Sequence, residues 1–146
     1  MVDEEEFRRT RAQLVARPCP FEATIFSRTA ACRLAERVQL AERQSVNCRD
    51  PRAQARCLCV LEFVRHRANF ALGRAQPSAL LPFGQAVKVQ AGGLLGLQDA
   101  LGGDPAGAVA DVDELLDNLV TRFGDLESVP FEVVVRRIAH YKHRNR

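Results

Sequence analysis

The chain has 146 residues, 47% of them hydrophobic and 27% charged, which suits one folded domain with a sizeable core and excludes a disordered polymer. Its net charge of +3 is small, and Lys88 and Lys142 are the only lysines among 21 basic residues, so charge argues against a nucleic-acid surface. The acidic opening MVDEEEFRRTRAQLVARP has no continuous apolar stretch, and no run is long enough for a bilayer; the expectation is a cytoplasmic protein without a membrane segment.

In chain order the sequence reads as helices with short proline and glycine punctuation. Residues 4–16 predict a short leading helix, stopped by Pro18 and Pro20. A second helix is expected from Pro20 to Ser45, with Phe26, Ala30, Leu34, Val38 and Ala41 spaced three or four apart as its apolar stripe. The third has a clear start, Asp50 as cap and Pro51 in the first turn, and is expected to run to Gly73. The turn-rich GRAQPSALLPFG follows, then a helix in QAVKVQAGGLLGLQDALGG, where VKV taken alone also suits a strand. A further helix is expected over 106–123 and a last one from Pro130.

These elements predict an all-α fold: one compact bundle of five to six helices over residues 1–146. Residues 19–73 would form an antiparallel helical hairpin carrying the cysteines, 103–114 an acidic connector, and 130–146 a basic C-terminal helix.

All five cysteines fall between residues 19 and 59. In a reducing compartment, several gathered thiols point to a metal rather than to disulfides. Cys19, Cys32, Cys48 and Cys57 follow the spacing C-x12-C-x15-C-x8-C. Because zinc sites usually show a short chelating pair, this looser spacing suits an iron–sulfur cluster first and zinc second. Helical phase separates Cys57 from Cys59 by about 200°, so Cys57 is the expected ligand and Cys59 packs with Phe63, His66 and Phe70.

A continuous second helix raises an objection, since it would hold Cys19 about 20 Å from Cys32. The objection falls only if RPCP is not helical or the helix breaks near Thr24–Ser27. A competing reading makes each thiol a small core hydrophobe. Another makes Cys19, at a helix start, a reactive or redox-sensing thiol.

Three other features have simple explanations. His140 and His143, three apart, form a pair that could bind a metal or merely end a helix. The basic C-terminal end complements a helix dipole; its sharper alternative is a nucleic-acid or acidic-partner surface, but no aromatic stacking series or binding motif accompanies the charge. Gly92, Gly93 and Gly96 lack the G-x-G-x-x-G pattern and suit close backbone packing. No catalytic triad order appears, and the sequence leans away from an enzyme.

The elements CPF (19–21), AAC (30–32), LAER (34–37), ARC (55–57), FALG (70–73) and KVQAGGLLGLQ (88–98) resemble those of small uncharacterised proteobacterial helical proteins. The resemblance covers residues 19–98 and implies no activity or ligand. The functional expectation is a bacterial metal-binding protein with a redox, sensing or accessory role and a redox or regulatory protein partner. The alternative is a metal-free interaction protein using its basic last helix.

Overall fold

The computed structural model describes residues 4–71 and 83–142, with the backbone alone at residue 83. The expected stop at Gly73, most of GRAQPSALLPFG and His143 lie outside them. The elements are α1 (Glu4–Leu14), α2 (Glu22–Phe26), β1 (Ala35–Leu40), β2 (Arg43–Cys48), α3 (Pro51–Ala71), α4 (Phe83–Ala100), α5 (Val112–Phe123) and α6 (Phe131–His140), with a 3-10 turn at Leu126–Ser128.

The fold is therefore mixed, helices with a two-stranded antiparallel sheet, and the expectation of an all-α bundle with an N-terminal helical hairpin is overturned. The helix expected from Pro20 to Ser45 ends at Phe26. Arg28 turns to φ 62°, and the Thr29 and Ala30 amides both donate back to the Thr24 carbonyl. From Ala35 the chain forms a β-hairpin, with Ala35 opposite Cys48 and Leu40 opposite Arg43.

The apolar pattern misled for a definite reason. Residues four apart share a face in a helix, but four is even, so they share a face in a strand as well. Leu34 and Val38 satisfy both periods. The turn signal was also hidden, because Ala41 takes φ 54° where a tight hairpin usually places Gly or Asn.

Strand β2 is buried from Ser45 to Cys48. Its free edge is covered by the segment before α2: the Cys19 amide donates to the Val46 carbonyl at 2.9 Å, and the Cys48 amide to the Arg17 carbonyl at 2.7 Å. The RPCP stretch is thus extended chain pinned to a strand.

Beyond the hairpin, α4 forms the centre of the core, with Leu94 and Leu97 fully buried. It packs on α6 through two glycines. A β-carbon at Gly92 would fall 2.7 Å from Ile138 Cα, and one at Gly96 would fall 2.7 Å from Val134 Cα. The backbones are in contact, as the glycine cluster suggests. Val60, Leu61 and Val64 of α3 and Leu115, Leu116 and Leu119 of α5 complete the same core.

Helix α5 starts at Val112 and not at 106. Asp111 caps it, accepting the Asp113 amide, while Asp104 closes a turn by accepting the Ala106 amide at 2.9 Å. The acidic connector is tied down as well. Ala30 and Val109 form a parallel bridge, and the Val112 amide donates to the Ala31 carbonyl at 2.9 Å.

Candidate functional site

Four short segments meet at the base of the hairpin, and each brings one cysteine. Cys19 sits on the extended chain along β2, and Cys48 ends β2 itself. Cys32 lies on the loop leading into β1, and Cys57 lies in α3. Cys19, Cys32, Cys48 and Cys57 line one pocket, together with an apolar wall that includes Phe21, Ile25, Leu34 and Val112.

The breaks that the continuous-helix objection required are both present. Extended RPCP, the end of α2 at Phe26 and the reversal at Arg28 bring Cys32 back to the pocket of Cys19. The sheet register does the rest, because the Ala35–Cys48 pair holds the Cys32 loop beside the end of β2. A turn with the Ala35 amide on the Cys32 carbonyl, at 3.1 Å, fixes that loop's exit.

All five cysteines are free thiols. Burial raises the Cys19 thiol to about 11, opposed by a backbone hydrogen bond from Phe21 and reinforced by the charges of Cys32 and Cys48. Burial likewise raises Cys57, to about 12, and the charges of Cys19, Cys32 and Cys48 add to it. Cys32 is raised by burial and by Asp111, against hydrogen bonds from the Leu34 and Asp113 backbone. Without a cation the thiols of Cys19, Cys32 and Cys57 are therefore protonated at neutral pH, and mutual repulsion resists more than one thiolate. A metal reverses that balance, since it binds the thiolate and releases the proton.

Two local donors suit sulfur ligands. The backbone of Phe21 serves Cys19, and that of Leu34 serves Cys32, in each case two residues downstream. Such hydrogen bonds to sulfur are among the means by which proteins tune thiolate centres. Cys48 instead points its thiol at the Asp50 carbonyl, 3.3 Å away.

The cavity at the pocket's centre measures about 20 Å³, room for about one water-sized group. Among the described residues, no three His, Cys, Asp or Glu side chains are drawn together tightly enough to hold a single ion as they stand. The four cysteines share a pocket without forming a closed one-ion shell.

Outside the sulfurs lies a second layer that the sequence reading missed. Arg33, next to Cys32, donates to Asp113 at 2.6 Å. Arg56, next to Cys57, donates to Asp113 at 2.7 Å and to Asp117 at 2.6 Å. Asp113 itself lines the pocket. Burial works against the Arg56 charge, but Asp117 and Asp113 outweigh it and its pKa is raised. Asp113 and Asp117 sit four apart on one helical face, but nothing in the sequence says that Arg33 and Arg56 reach them.

The remaining candidates stand apart from the pocket. Cys59 is exposed and lines an open groove on α3 with Leu58, Phe63 and His66. Cys19 has no long helix behind it, because α2 has five residues, and burial sets its pKa rather than a helix terminus. Nδ1 of His140 lies 2.9 Å from the Arg136 carbonyl. In the last helix Arg137 is paired with Asp99 at 3.0 Å.

No helix among the described residues is long and apolar enough to cross a membrane. Compared with known proteins, the chain matches no family model, no curated protein and no solved structure.

Proposed function

We propose that the chain holds an iron–sulfur cluster on Cys19, Cys32, Cys48 and Cys57, and that it is a cytoplasmic protein with a redox, sensing or accessory role. One observation carries the reading: four cysteines from four separate segments line a single, largely apolar pocket. Sulfur ligands drawn from separate segments must converge in this way. An apolar shell also shields a cluster from solvent. Zinc is the second occupant, and the same four thiolates would hold it. A cluster requires the small cavity to widen.

The competing reading is a metal-free interaction protein with core cysteines, and the absence of a ready one-ion shell among the described residues favours it. Anaerobic purification followed by iron, acid-labile sulfide and zinc analysis, with visible absorption, separates the three. Iron with sulfide supports the cluster, and zinc alone makes the centre structural. A folded, colourless protein that also stays metal-free after incubation with ferrous iron and sulfide, or with zinc, leaves the interaction reading.

A further inference from the structure

Two of the four pocket cysteines have an arginine as chain neighbour, in Cys32–Arg33 and in Arg56–Cys57. Both arginines reach the same two carboxylates of α5. Arg33 contacts Asp113 at 2.6 Å and Asp117 at 3.8 Å, while Arg56 contacts them at 2.7 and 2.6 Å. Arg33 also pairs with Asp111 at 3.6 Å, and its backbone amide donates to the Asp111 carboxylate at 3.1 Å. Two ligand-bearing segments far apart in sequence are thus bolted to one face of one helix.

We infer that this Arg33–Asp113–Asp117–Arg56 set is the latch of the metal pocket, tying the Cys32 loop to the Cys57 helix through α5 and slowing loss of the bound metal. The inference rests on the reading of the four thiols as ligands. Cys32, like Cys19, lies outside regular secondary structure, so its position depends on outside anchors. Its upstream side has backbone bonds between Ala31 and both Val109 and Val112. Downstream, the Ala35 amide holds the Cys32 carbonyl, and Arg33, next to the sulfur, adds a side-chain anchor.

A lone surface ion pair would contribute little to such a role, since exposed pairs are screened and entropically costly. Here two arginines share two aspartates, and Asp113 is nearly buried, with 12% of its side chain exposed. A shared network orders both arginines at once. Partners of metal ligands commonly change metal affinity by about 10–100-fold when removed.

The test uses the full chain reconstituted anaerobically with ferrous iron and sulfide. Iron release to a ferrous chelator is followed by absorbance in wild type, Arg33→Gln and Asp117→Asn. These are exposed positions whose variants should fold, which circular dichroism and the melting temperature of the metal-free protein verify. The latch predicts release about 10-fold faster in either variant, with the metal-free melting temperature little changed. It also predicts a double variant no worse than the faster single one, because both act through one network. Arg33→Lys should recover part of the retention. Unchanged release rates would overturn the latch, as would rates that rise only in step with a lower metal-free melting temperature. A wild-type chain that takes up no iron and sulfide would overturn the cluster reading itself, and that failure is told apart from the first by the wild-type metal content alone.

Discussion

Ala35 stands opposite Cys48 at the open end of the β-hairpin, three residues after Cys32. That single register pair brings together two pocket cysteines separated by fifteen residues in the chain. Helix α3 then adds Cys57 and leaves Cys59 outside. Replacing Cys57 with Ser should therefore abolish metal retention, while Cys59→Ala should keep the wild-type metal content. Metal analysis of the two variants, purified side by side without oxygen, is the check; loss in the Cys59 variant alone would reverse the assignment.

The metal-free thiols offer a separate test. Cys19 rises from an ordinary 9.0 to about 11, which leaves about 100-fold less thiolate near neutral pH. Cys57 rises further, to about 12. A brief iodoacetamide pulse read by peptide mass spectrometry should mark exposed Cys59 first and Cys19 and Cys57 last. Urea should erase the difference. Early labelling of Cys19 would instead restore it as a reactive thiol.

Close contact between α4 and α6 sets a steric prediction. Gly96→Ala would drive a methyl against the Val134 backbone, and Gly92→Ala against Ile138. Backbone cannot step aside as a side chain can. Each change should cost about 1–3 kcal/mol, despite alanine's better helix propensity of about 1 kcal/mol. At Gly93 the nearest atom is the Val64 Cγ1, so Gly93→Ala should be milder. Urea midpoints for the three variants would show the order.

Ala41 carries a left-handed backbone in the hairpin turn. A non-glycine residue there costs about 1–2 kcal/mol, and glycine returns about 0.4–1 kcal/mol of that as unfolded-state entropy. Ala41→Gly should therefore stabilise the protein by roughly 0.5–1 kcal/mol. A lower urea midpoint in this variant would contradict the assigned turn.

Helix α1 buries none of its residues and is held to the hairpin by charge. Arg43 pairs with Glu4 and lies over the Phe7 ring at 4.4 Å, and Arg11 donates to Ser45 at 3.0 Å. The hydrogen bond and charge of Arg43 hold the Glu4 carboxyl below its ordinary value of 4.5. A depressed carboxylate contributes stability above the unfolded-state pKa and loses it as the pH falls through the folded one. Amide protection factors in α1, taken against intrinsic rates at each pH, should accordingly fall on acidification below the ordinary carboxylate range, and with added salt. Arg43→Gln should show the lower protection already at neutral pH.

Local signals were enough for much of the helical fold. Asp50–Pro51 marked the start of α3, Pro130 the start of α6, and the glycines of α4 their close packing, because caps and small residues act through their immediate neighbours. The same locality misplaced the segment from 27 to 48. Spacings of four fit helix and strand alike, and Ala41 conceals its turn.

For the candidate site, composition singled out the four cysteines, and helical phase set Cys59 aside from Cys57. What the sequence alone could not decide was how Cys19 and Cys32 approach one another. That depended on the reversal at Arg28 and on hydrogen bonds to β2 and to Val109, partners up to 80 residues away. The latch is the extreme case. Arg33 and Arg56 sit beside cysteines in the sequence, but only tertiary packing brings Asp113 and Asp117 between them. An ion-pair network is defined by distance in space, and no local pattern encodes it.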